Sequence, residues 1–100
     1  MKGKTIFITG ATSGIGESCA RKFAAMGSRL ILNGRNLKKL EILKQELELQ
    51  GTEILILPFD VRDRQAMYQA ITSLESKWQE IDVLITLIPQ HYSLTLFISA

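Results

Sequence analysis

Four short apolar runs punctuate the chain, and the segments between them carry apolar residues at helical spacing. The runs are Thr5-Ile6-Phe7-Ile8, Arg29-Leu30-Ile31-Leu32, Ile54-Leu55-Ile56-Leu57 and Val83-Leu84-Ile85. Continuous apolar runs of this length, without polar alternation, predict strands covered on both faces. Gly10, Asn33-Gly34 and Pro58 close the first three. After Gly16, Ile15, Cys19 and Phe23 recur at helical intervals beside Ala20 and Ala24, and Gly27 supplies the stop. Asn36 predicts the cap of a second helix with Leu37, Leu40, Leu43 and Leu47 on one face, ended by Gly51. Asp63 predicts the cap of a third, in which Met67, Ile71, Leu74, Trp78 and Ile81 keep one unbroken helical period.

The order β-α-β-α-β-α-β predicts an α/β fold with a parallel, doubly wound sheet. Right-handed crossovers then set the strand order 3-2-1-4, truncated after the fourth strand. In that arrangement the first two helices lie on one side of the sheet and the third lies alone on the other. Much of the second face and the free edge of the fourth strand would lack cover, so instability or aggregation is expected.

Composition narrows the classes of function. A chain of 100 residues with 46% hydrophobic and 22% charged side chains is one small globular domain. A net charge of +2 is too small to make nucleic acid or an anionic membrane the main partner. The single cysteine, Cys19, excludes an internal disulfide framework and a Cys-rich zinc site, and fits a reducing, cytoplasmic setting. Ile6-Phe7-Ile8 is too short for a signal peptide's apolar region, and no run reaches membrane-span length. His91 has no cluster of ligating residues around it and reads as a loop histidine, so no metal site is predicted.

The last fifteen residues, 86–100, hold none of the chain's 22 charged side chains. At the density of the preceding segment about four would be expected. Residues 1–85 therefore read as the domain, and residues 86–100 as an atypical tail arising from a frameshift or alternative reading. Its alternating Leu94, Leu96 and Ile98 could add a makeshift strand.

The chemistry concentrates between the first strand and first helix, in Thr9-Gly10-Ala11-Thr12-Ser13-Gly14-Ile15-Gly16. Gly10 allows the sharp turn out of the strand. Gly14 lets the backbone approach a diphosphate, and Gly16 lets helix and strand pack closely. Free amides at the helix start favour an anion there, with Thr12, Ser13 and the Ile15 amide as further donors. The placement between strand and helix separates this loop from a ligand-free glycine turn, and no Gly-Lys-Ser/Thr follows to make it a triphosphate loop.

Thr9-Gly-x-x-x-Gly-Ile-Gly16, Asn33-Gly34-Arg35 after the second strand and Asp60-Val61 after the third resemble the short-chain dehydrogenase/reductase family. The resemblance spans residues 1–85 and implies a Rossmann-type, NAD(P)-binding half-domain. It also implies that Asp60 and Val61 contact adenine, and that the activity is hydride transfer between alcohol and carbonyl. For the cofactor, a carboxylate ending the second strand would suit NAD, but Gly34 stands there and Arg35 follows. A guanidinium can pair with a 2′-phosphate, so NADP is favoured over NAD, against the alternative of a solvated loop arginine.

The resemblance stops at Thr86-Leu87-Ile88-Pro89, where the family has Asn-Asn-Ala-Gly. The family's catalytic serine, its Tyr-x-x-x-Lys pair and its oligomer-forming helices have no counterpart. Tyr68 is followed four residues later by Thr72, and Tyr92 by Leu96. No catalytic residue is assigned, and a small alcohol or carbonyl substrate is expected only for a full-length form. The favoured expectation is an NADP-dependent oxidoreductase represented by its cofactor-binding part and inactive alone. The rivals are a non-catalytic dinucleotide-binding module and an interaction stub pairing its sheet edge with a full-length relative.

Overall fold

The computed structural model describes residues 1–60, 62–88 and 93–98. Its strands are β1 (Thr5–Ile8), β2 (Arg29–Gly34), β3 (Ile54–Pro58), β4 (Val83–Ile88) and β5 (Ser93–Ile98). Its helices are α1 (Gly14–Ala25), α2 (Leu37–Glu48), α3 (Arg64–Thr72) and α4 (Ser76–Gln79). One sheet contains all five strands in the order β3-β2-β1-β4-β5. The first four are parallel, in the predicted order 3-2-1-4. Asp82 ties the start of β4 to the start of β1: its carboxylate accepts from the Thr5 amide at 2.8 Å, and its own amide donates to the Thr5 carbonyl at 2.9 Å.

Alternate side chains of the strands enter two separate cores. Ile6, Ile8, Leu30, Leu32, Ile54 and Ile85 pack with Ala20 and Ala24 of α1 and with Leu40, Leu43 and Leu47 of α2. Phe7 and Ile31 point the other way and pack with Leu74 and Trp78, joined by Leu55, Leu57, Met67 and Leu84. One face is thus covered by α1 and α2, and the other in part by the α3–α4 segment, which leaves Leu55, Leu57 and Leu84 half-buried. This layering explains why the parallel strands lack polar alternation.

Three expectations are refined. First, the parallel series ends with β4 as predicted, but β4 runs on to Ile88, and the segment whose alternation allowed a makeshift strand forms β5, antiparallel to it from Val83↔Ile98 to Ile88↔Ser93. The edge of β4 that a four-stranded sheet would leave open is therefore paired, by the segment containing Leu94, Leu96 and Ile98. Second, the helix after Asp63 is broken. α3 stops at Thr72, whose hydroxyl bonds back to the Tyr68 and Gln69 carbonyls, and α4 begins after Glu75. The break brings the chain down onto the sheet so that both Leu74 and Trp78 are buried, and the Gln79 side-chain Nε2 donates to the Leu74 carbonyl at 2.9 Å. Third, Ile15, Leu37 and Ile71 stand on the predicted apolar faces yet are 47%, 46% and 38% exposed. Ile15 and Leu37 stand in the first turns of α1 and α2, and Ile71 in the last turn of α3 before the break.

Candidate functional site

The loop after β1 is anchored on both sides before it reaches α1. Thr9 is buried, and its amide and hydroxyl donate to the Ile85 carbonyl of β4 at 2.9 and 3.4 Å. The Ala11 amide donates to the Asn33 carbonyl at the end of β2, at 2.8 Å. Between these anchors Gly10 takes φ +62°, a left-handed conformation that an L side chain resists, and so makes the turn. The loop therefore sits where the sheet diverges from β1 toward β2 on one side and β4 on the other. In open α/β sheets that crevice, at the carboxyl ends of the strands, is where ligands bind.

Gly14 and Gly16 serve different ends. A Cβ on Gly16 would overlap the Gly10 carbonyl oxygen and lie 2.8 Å from its carbon and 2.9 Å from the Ala11 Cα. Helix and loop touch through backbone there, as the sequence predicts. At Gly14 nothing beyond the adjoining residues and the helix's own backbone lies within 4 Å of the corresponding position, so the loop presents open backbone on that side. The amides of Gly14 and Ile15, in the first turn of α1, have no intrahelical acceptor available to them. An open backbone surface with outward amides at a helix start suits a diphosphate.

Ser13 is occupied within the loop. Its hydroxyl donates to the Gly10 carbonyl at 2.7 Å and accepts from the Gly16 amide at 3.1 Å. As the N-cap of α1 it shapes the cradle, and its single proton is directed inward instead of toward a ligand. Thr12 is half-buried and packs toward the end of β2. A Cβ at Gly34 would stand 3.2 and 3.3 Å from its Cγ2 and Oγ1 and 3.4 Å from a Leu40 methyl. Gly34 thus lacks a carboxylate in the place where any side chain would be crowded.

The ends of β2 and β3 bring the remaining candidates together. Gly34 pairs with Pro58, so exposed Arg35 and half-buried Asp60 both lie beyond this end of the sheet. Asp60 accepts from the Arg62 amide at 2.9 Å, and the Arg62 guanidinium spans both carboxylate oxygens, at 2.8 Å for its shortest contact. These hydrogen bonds, with a further contribution from Arg35, hold the Asp60 carboxyl down at about 2. Val61 lies outside the described residues, as do His91 and Tyr92.

Two contributors were given no role at the site by the sequence. Asn33 is buried, and its side-chain amide donates to the Leu57 and Phe59 carbonyls at 2.9 and 3.0 Å, fastening the β2 end to the segment leading to Asp60. Arg62 pairs with Asp60; the Asp-x-Arg spacing of an Asx turn was the available signal. Tyr68 is exposed on α3, and Cys19 packs partly against the core, so neither enters the site. A separate open groove of about 590 Å³ lies between β3 and the α3–α4 segment, over Leu55, Leu57, Leu74 and Trp78; it shares no residue with the glycine loop.

A parallel sheet with a glycine-bent loop entering a helix start at its switch point defines an α/β domain of the dinucleotide-binding type. The family model described as short chain dehydrogenase matches residues 4–87, and the chain belongs to that family. It is 41% identical over 80 residues to the NADP-dependent 3-hydroxy acid dehydrogenase YdfG of Salmonella typhi, covering 80% of this chain and 31% of that protein. The sulfoacetaldehyde reductase of Chromohalobacter salexigens is likewise 41% identical over 80 residues, again across 80% and 31% of the two chains. Among solved structures, serine dehydrogenase from Escherichia coli superposes with a TM-score of 0.74 at 39% identity, over 80% of this chain and 36% of that one. L-sorbose reductase from Gluconobacter frateurii, complexed with NADPH and L-sorbose, gives 0.76 at 30% identity, over 83% and 32%. The chain therefore spans about a third of the length of the curated relatives it matches.

Proposed function

We propose that residues 1–85 bind NADP as the cofactor-holding part of an oxidoreductase that interconverts alcohols and carbonyl compounds. The observation that carries this reading is the contrast between two glycines. Gly16 is required by the fold, whereas Gly14 leaves open backbone where the cofactor's diphosphate would rest. In this reading the Gly14 and Ile15 amides hold the diphosphate, with Gly10 and Ser13 fixing the loop's shape and Thr12 lining it. Arg35 pairs with the 2′-phosphate, and Asp60 and Val61 receive the adenine. The crowding at Gly34 favours NADP over NAD, because it keeps a ribose-binding carboxylate from the end of β2. YdfG's NADP dependence and the NADPH in the sorbose reductase structure support the same choice.

Bound NADPH supplies the hydride chemistry, and the residues here supply position and charge. The chain contains no tyrosine with a lysine four residues on, the pair that would handle the proton at a carbonyl oxygen. We therefore expect binding without carbonyl-dependent turnover from these 100 residues. The tail from 86 to 100 we assign to another reading frame, to be tested by translating the coding DNA from codon 80 in all frames. Among the described residues no helix is long and apolar enough to cross a membrane. The lone Cys19 is what supports a reducing, cytoplasmic setting in this reading.

The test is calorimetric titration of the chain with NADPH and NADH, repeated on Gly14→Val. The reading expects NADPH to bind more tightly than NADH, and Gly14→Val to abolish both while leaving the fold intact by circular dichroism. Undiminished binding to a folded Gly14→Val protein would remove the loop from the site.

A further inference from the structure

The Asp60–Arg62 pair presents an unexpected charge arrangement for a site that must accept a phosphate. Gly34 and Pro58 are register partners, so Arg35 and Asp60 leave the same end of the β2–β3 pair, near enough for the Arg35 charge to act on the Asp60 carboxylate. A free carboxylate there would oppose a 2′-phosphate held by Arg35, since unscreened like charges repel at this range. Asp60 is not free. Arg62 covers it with four contacts: the backbone amide at 2.9 Å, Nε to both oxygens at 3.2 Å, and a terminal nitrogen at 2.8 Å. The neighbouring Asp63 is also engaged, accepting from the Ala66 amide at 3.0 Å as the cap of α3.

We infer that Arg62 is a specificity-determining residue acting through Asp60: by cancelling the Asp60 charge it lets the β2–β3 end accept a 2′-phosphate at Arg35. The inference rests on the reading of Arg35 as the 2′-phosphate contact. Asp60 can then remain ionised and accept from an adenine amino group while the local balance of Arg35, Asp60 and Arg62 stays at one net positive charge. Without Arg62 the balance falls to zero, and the penalty applies to NADP but not to NAD. The Arg62 side chain is 73% exposed, so its role in holding the fold is small.

The experiment measures dissociation constants of NADPH and NADH, and of the smaller probes adenosine 2′,5′-bisphosphate and AMP. It compares the wild-type chain with Arg62→Ala, Arg35→Ala and the double variant Asp60→Asn/Arg62→Ala. The readout is the ratio within each pair of ligands. Partial unfolding weakens both members by the same factor, so it leaves the ratio unchanged. Arg62→Ala should lower the preference for the phosphorylated member by about three- to tenfold, the range for charges a few ångströms apart near a screened surface. Its AMP affinity should stay close to wild type. The double variant should bind all four more weakly but recover the wild-type ratios, because the uncancelled charge is gone.

A wild-type ratio in Arg62→Ala overturns the inference. So does a ratio that falls equally in the double variant, which would mean that Arg62 meets the phosphate by its own charge. If Arg35→Ala removes the preference and Arg62→Ala does not, this inference fails alone. If the wild-type chain shows no preference for the phosphorylated ligands, the reading of Arg35 fails and carries this one with it.

Discussion

Replacing Gly16 with alanine tests whether the loop is held by backbone contact between helix and turn. The added methyl meets the carbonyl oxygen and carbon of Gly10 and the Cα of Ala11, all backbone atoms, so no rotamer change relieves the overlap. Forcing such a contact costs about 1–3 kcal/mol in backbone displacement. Against it stands alanine's helix preference over glycine, at most about 1 kcal/mol and smaller in a first turn. The net expectation is a destabilisation of about 1–2 kcal/mol, which lowers the melting temperature by roughly 4–8 °C per kcal/mol in a domain of this size. Gly14→Ala is the matched control. Its methyl would enter open space at an ordinary φ, so it should raise stability by about 0.4–1 kcal/mol. Urea unfolding followed by circular dichroism measures both. A Gly16→Ala protein as stable as wild type would show that the loop yields without cost and that the close approach does not hold it.

Arg35→Ala should weaken NADPH by about 1–3 kcal/mol, the cost of a lost charged contact, and leave NADH nearly unchanged; equal loss of both would exclude the 2′-phosphate assignment. Asn33→Ala should destabilise the chain by about 1–3 kcal/mol, because it strips the Leu57 and Phe59 carbonyls of a buried donor; unchanged urea unfolding would mean that water replaces it. For Asp60 the folded pKa lies below the ordinary value of 3.8, so its contribution is full above that value and is lost as the pH falls through about 2. Carboxyl NMR should find the midpoint low in wild type and higher in Arg62→Ala, and an unmoved midpoint would refute the assigned cause.

Local physics made most of the architecture legible in the sequence. Asn36 and Asp63 cap their helices as read, accepting from the Lys39 and Ala66 amides at 3.1 and 3.0 Å, because a cap depends on residues three positions apart. Gly10 adopts the positive φ expected of a strand-to-helix turn, for the same short-range reason. Strand order followed from crossover handedness, which needs only the sequence of elements. The glycine loop, Arg35 and Asp60 could likewise be picked out as candidates by type and spacing.

What needed the tertiary structure depends on neighbours distant in the chain. An unbroken helical period runs from Met67 to Ile81, yet covering Phe7 and Ile31 requires a break after Thr72, which periodicity alone cannot register. Gly34 reads as a missing carboxylate until Thr12, twenty-two residues away, is seen to crowd it. Asn33 looks like a turn residue, but burial makes it the clasp between β2 and the segment after β3. The pairing of β5 with β4 is also a tertiary outcome, since a strand edge with unpaired amides and carbonyls accepts any extended segment that reaches it. Spacing along the chain determines turns, caps and element order because those energies act over a few residues. Burial, crowding and charge pairing between strand ends are set only when the sheet closes.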